Sequence, residues 1–163
     1  MKKLLTILVL VLVIAGIWIF LTMHPSSTAT SSPTAAASTV PFTTLAAGAQ
    51  SDVTSRVDYL ITSQDQLTQL WNLLQQPPPV PTVDFTTQDV VAVFAGQAPT
   101  TGYSIAVAQV EDANSRIVKI ELTKPDDSCV LAQSTTAPYQ IIELPKTSLP
   151  FTHDDTLTTK ACP

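Results

Sequence analysis

Three consecutive prolines, Pro77-Pro78-Pro79, divide this chain between two periods of hydrophobic spacing. Before them, Leu67, Leu70, Trp71 and Leu74 recur at helical intervals, so one face of a helix is apolar. Ser63-Gln64-Asp65-Gln66 opens that helix as a capping box, with Ser63 as N-cap and Gln66 reaching back. The prolines stop it, because proline lacks the amide donor and its ring clashes with a continuing turn. Trp71 is read as core, with stacking on a ligand as the alternative.

The spacing on either side of this helix is that of strands. Residues 57–62 read as a first strand, and 89–95 as a mostly apolar, central one. In 103–110, Ile105 and Val107 face one way and Ala106, Ala108 and Val110 the other. A polar turn at 111–115 leads into 116–123, with Val118, Ile120 and Leu122 inward and Lys119 and Glu121 outward. In 139–144, Gln140, Ile142 and Leu144 oppose Ile141 and Glu143. The pattern predicts an α+β domain over residues 52–163: a twisted antiparallel β-sheet with one early helix packed on it, around one core.

The N-terminal end predicts a membrane anchor. After Met1-Lys2-Lys3, residues 4–21 are apolar except for Thr6. Eighteen helical residues rise about 27 Å, close to the hydrocarbon core of a bilayer. A cleaved signal peptide is the alternative, but Ile17-Trp18-Ile19-Phe20 stands where small residues would mark a cleavage site. Residues 1–3 are therefore assigned to the cytoplasm and 4–22 to a single transmembrane signal anchor. Cationic flanks stay inside, so the rest of the chain is expected outside, at the cell membrane. Residues 23–51 read as a disordered Ser/Thr/Ala/Pro-rich stalk, since such composition cannot offset its ordering entropy. Beyond the anchor, six cations meet thirteen acids, a net charge of −7. That balance argues against nucleic acid and anionic lipid as partners, since both need basic patches.

Cys129 and Cys162 are the only cysteines. In an exported domain two cysteines more often pair than stay free, and closure would stabilise the fold by roughly 3–4 kcal/mol. Two reduced thiols are the alternative.

No catalytic residue, metal ligand or cofactor is assigned, and no enzymatic activity is expected. His24 and His153 stand far apart in sequence, whereas zinc needs three or four convergent ligands. Asp126-Asp127 and Asp154-Asp155 lie outside any twelve-residue calcium-loop pattern. Ser104 lacks the nucleophile-elbow glycines, and His153-Asp154 cannot form a triad by adjacency.

What stands out instead is the run Gly96-Gln97-Ala98-Pro99-Thr100-Thr101-Gly102-Tyr103-Ser104-Ile105. Proline presets φ and glycine accepts a positive one, so the run reads as a hairpin tip between two strands. Pro99, Thr100, Thr101, Gly102 and Tyr103 form the predicted binding loop.

Taken in order, Gly96-x-x-Pro99-Thr100-x-Gly102-Tyr103-Ser104-Ile105, Cys129-Val130-x-x-Gln133, Pro138-Tyr139-x-Ile141-Ile142 and Pro145-Lys146 resemble the C-terminal domain of the PrcB family. The resemblance covers roughly residues 89–149 and extends weakly back to the helix around Trp71. That family is named after a protease complex subunit, a bacterial surface protein associated with a subtilisin-like protease. It implies a non-catalytic accessory subunit whose partner is a protein, a surface protease. The family loop typically reads Thr-Gly-Gly-Tyr, so Thr101 replaces a glycine and would be strained if the loop needs a positive φ there.

Residues 99–103 are also similar to the Asn-Pro-Thr-Thr-Gly-Tyr-x-Trp loop of chagasin-type inhibitors of papain-like cysteine proteases. Here Ala98 replaces the Asn and Ile105 the Trp. A third reading, a small-ligand or glycan-binding envelope protein, requires a pocket beside Tyr59, Trp71 or Tyr139.

Overall fold

A computed structural model describes residues 36–162. The expected anchor at 4–22 lies outside the described residues, as does the expected stalk up to residue 35. Among the described residues no helix is long and apolar enough to cross a membrane.

Eight strands and one helix make up the described chain. They are β1 (Ser38–Thr39), β2 (Thr43–Gly48), β3 (Val57–Ile61), α1 (Gln64–Leu73), β4 (Gln88–Phe94), β5 (Ser104–Asp112), β6 (Arg116–Pro125), β7 (Tyr139–Pro145) and β8 (Phe151–Lys160). They form two four-stranded sheets, ordered β1-β5-β6-β8 and β2-β7-β4-β3. The single sheet expected from the alternation is therefore two. Residues 95–103 carry the chain from β4 in the second sheet to β5 in the first, so they are a crossover and not a hairpin tip.

The second sheet is covered on both faces, which gives two apolar layers where one core was expected. Between the sheets lie Val91 and Val93 of β4, Val107 and Val110 of β5, Val118 and Ile120 of β6, and Ile142 and Leu144 of β7. Between this sheet and α1 lie Val90, Ala92, Phe94, Tyr139 and Ile141 with Leu67, Trp71 and Leu74. Double coverage explains why β4 is apolar almost throughout: neither of its faces meets water.

Helix α1 follows its sequence signals closely. Ser63 caps it in an extended conformation and accepts from the Gln66 amide at 3.4 Å. Gln66 reaches back as predicted, but to the amide of Thr62, at 2.9 Å. The helix ends before the prolines. Gln75 takes a left-handed φ of 51°, with Gln75 N donating to Asn72 O and Gln76 N to Trp71 O, a Schellman closure. Trp71 is buried and donates its indole N–H to Pro77 O at 3.1 Å, as a core residue should.

Three further departures have local causes. Strands β1 and β2 fall inside the predicted stalk, so the domain begins well before residue 52. Their Thr, Ala and Gly residues read as linker, but Val40 is buried and Phe42 and Leu45 pack onto the two apolar layers. Second, β5 shifts register between Val107 and Gln109, which turns Val110 to the same buried side as Ile105 and Val107. Third, β8 pairs with β6 in parallel. Strand β7 returns through the other sheet between them, so β6 and β8 run the same way without a helical crossover.

Candidate functional site

The predicted binding loop is held on three sides. Gln97 N donates to Thr54 O at 3.0 Å, Ala98 and Thr136 exchange both backbone bonds, and Thr101 N donates to Ala132 O at 3.2 Å. The Thr136 hydroxyl donates to Thr100 O at 3.0 Å. Pro99 and Gly102 remain exposed, while Thr100, Thr101 and Tyr103 are half-buried. Gly96 (φ 80°) and Gly102 (φ 93°) supply the positive torsions. Gly96 is doubly constrained, since a Cβ there would stand 2.9 Å from the backbone of Ser55 and Arg56. Thr101 is not among the positive-φ residues, so the missing family glycine costs the loop no left-handed strain.

Residues 126–138 back this loop and are themselves tied down. Cys129 and Cys162 form a disulfide with Cα atoms 5.4 Å apart, and Asp126 N donates to Lys160 O at 2.9 Å. The Asp126 carboxylate accepts from the Ser128 hydroxyl and amide, which holds its pKa below the usual carboxylate range. The loop, its backing segment and the tail of β8 thus form one stapled end of the sandwich, where Val130 is fully exposed.

Sequence spacing missed an ionic clasp at the side of the sandwich. Arg56 donates to Asp155 on β8 at 2.8 and 2.7 Å, and both of its terminal nitrogens donate to Asp58 on β3. His153 Nδ1 lies 3.1 Å from Asp58 Oδ2. The clasp joins the outer strand of one sheet to that of the other. Burial pulls the Arg56 pKa down, but the bonds to Asp155 and Asp58 outweigh it and leave it raised. A second pair, Arg116 and Asp112, is bidentate at 2.8 and 2.7 Å, and it holds Asp112 below the usual carboxylate range. No sequence signal announces the Arg56–Asp155 bond, because the two residues stand 99 positions apart.

Of the three aromatic residues named for a ligand pocket, Trp71 and Tyr139 are buried. The Tyr139 ring stacks on Phe94 at 5.9 Å, its hydroxyl bonds Gln76 at 2.6 Å, and burial raises its pKa despite that bond. Tyr59 is half exposed beside an apolar groove of about 470 Å³. Among the described residues no group of three or more His, Cys, Asp or Glu side chains is placed to hold a metal ion.

The architecture is that of a two-sheet domain with one covering helix. Residues 90–145 match the family model of the PrcB C-terminal domain, which bears out the resemblance drawn from the loop and β7 motifs. The match runs from β4 to the last residue of β7, and so spans the two inner strands of each sheet. No curated protein and no solved structure matches the chain.

Proposed function

We propose that this chain is a membrane-anchored, extracytoplasmic and non-catalytic subunit that binds an envelope protease and helps assemble or stabilise it. The observation that carries this reading is the PrcB C-terminal match over β4–β7, a family named for a protease complex subunit. The apolar run at 4–21 behind two lysines supports the anchor, and the Cys129–Cys162 disulfide suits an oxidising compartment. The stapled end carrying Pro99, Thr100 and Tyr103 is the contact surface in this reading, rigid enough to bind without a large ordering cost.

Crosslinking the full-length chain in cells, followed by identification of its partners, tests the assignment. A protease partner whose capture falls with Thr100→Ala/Tyr103→Ala, in a variant that still unfolds cooperatively, is expected. Absence of any protease among the partners sinks the reading. Protease shaving of intact cells tests the topology, with loss of the domain expected.

A second reading draws on the two-sheet architecture and residues 99–103: inhibition of a papain-like cysteine protease. Stoichiometric block of papain by the purified chain is its expected result, and no inhibition at micromolar protein removes it.

A further inference from the structure

Helix α1 overhangs the sheet it covers. Leu67, Trp71 and Leu74 are buried, whereas Leu73 on the same helix is 54 % exposed and Leu70 half-buried. Leu70 and Leu73 line the groove of about 470 Å³ with Val53, Tyr59, Leu60 and Ile61, and its polar lining comes from Gln66 and Gln69. The floor ends at β3, the last strand of its sheet, which β4 pairs along all five residues of one side. Among the described residues no backbone hydrogen bond reaches its other side. A further strand would lie about 4.8 Å beyond β3, and its alternate side chains would point beneath Leu70 and Leu73.

Charge selects the occupant. Among the described residues no Lys or Arg lines the groove. Asp65 sits in the first turn of α1, Asp52 lies beside Leu73 at the other end, and neither joins an ion pair among the described residues. The nearby cation, Arg56, is already shared by Asp58 and Asp155. A second copy of so acidic a domain is repelled there, whereas a basic-flanked segment is attracted.

We infer that the free side of β3 and the α1 overhang take up one extended segment of a partner protein, apolar at alternate positions and flanked by Lys or Arg. This rests on the reading of the chain as a partner-binding subunit and adds the β3–α1 groove as a second contact beside the 99–103 loop. The groove lies wholly outside the matched residues 90–145, so it is a feature of this chain beyond the family match.

The test uses the full-length chain and a fluorescent peptide, Lys-Lys-Val-Thr-Val-Thr-Val-Lys-Lys, with a Glu-flanked version beside it. Saturable binding of the Lys-flanked peptide is expected, weakened about tenfold or more by Leu73→Asp, by Tyr59→Thr and by the Glu flanks. Hydrogen exchange should slow at the amides of Val57–Ile61 when peptide is added. Leu73 is exposed, so its replacement leaves the fold intact.

Binding insensitive to Leu73→Asp, or unchanged exchange at β3, overturns the proposal. So does dimerisation that Leu73→Asp abolishes, which gives the groove to a second copy. Full protection of β3 without peptide also overturns it, since the chain's own residues would then fill the groove. A co-purifying protease insensitive to Leu73→Asp sinks the groove and leaves the accessory reading. Peptide capture without any protease partner in cells does the reverse.

Discussion

The inner strands β4, β5, β6 and β7 differ sharply from the outer strands β1, β2, β3 and β8. Ten of the eleven largest fully buried side chains, Phe94, Ile120, Ile141 and Val110 among them, lie on inner strands, and the other is Leu67 of α1. The outer strands contribute only Ile61 to the buried set, and β8 is exposed along nearly its whole length. The PrcB C-terminal match covers the inner four and stops short of every outer strand. Buried apolar side chains are thus concentrated in the matched core, while the edge strands are mostly exposed.

Truncation should expose that contrast most plainly. Phe94→Ala removes a ring that meets Tyr59 edge-on and stacks on Tyr139, and is expected to cost about 3–5 kcal/mol in urea denaturation. Thr156→Ala on β8 should stay within about 0.5 kcal/mol. Equal losses at the two positions would erase the distinction.

The disulfide comes next, because it binds an outer strand's tail to the segment behind the loop. Replacing both cysteines (Cys129→Ser with Cys162→Ser) closes no loop across their separation of 33 residues and should cost about 2–4 kcal/mol. Hydrogen exchange should accelerate at Thr101 and Ala98 before it does in β4.

Gly48 is an outer-strand exception that sharpens the comparison. A Cβ there would stand 2.7 Å from the Tyr139 ring, so Gly48→Ala should cost about 1–3 kcal/mol despite its exposed position. Thermal or urea unfolding measures it, and a neutral result would show that Tyr139 moves aside.

The smallest effect is electrostatic. The Arg116 bond lowers the folded pKa of Asp112 below its unfolded value. Its contribution is therefore present above about pH 4 and lost as pH falls through the folded pKa. Asp112→Asn should flatten the acid limb of the stability–pH profile and leave the neutral region nearly parallel to the parent.

Local chemistry made much of this legible. Ser63 and Gln66 announce the helix start, Leu67, Trp71 and Leu74 its buried face, and the apolar run at 89–95 a central strand. The only two cysteines of the chain form the expected pair. What escaped lies where the pattern is weak or broken. Strand β8 has exposed residues on both faces, so Thr152 to Lys160 show no alternation to read. The bulge at Val107–Gln109 reverses the facing of Val110, because one unpaired residue resets a period of two. The predicted loop residues kept their place between two strands, but those strands belong to different sheets, and Thr136 and Ala132 supply the partners that hold the loop.

Element type followed from neighbours along the chain: spacing, caps and prolines act within a few residues and need no fold to be felt. Partnership did not. Two sheets in place of one, the parallel β6–β8 pair and the Arg56–Asp155 clasp all join residues far apart in sequence. Such contacts exist only after burial has fixed which faces close on each other, so they are decided by packing of the whole and not by any one segment.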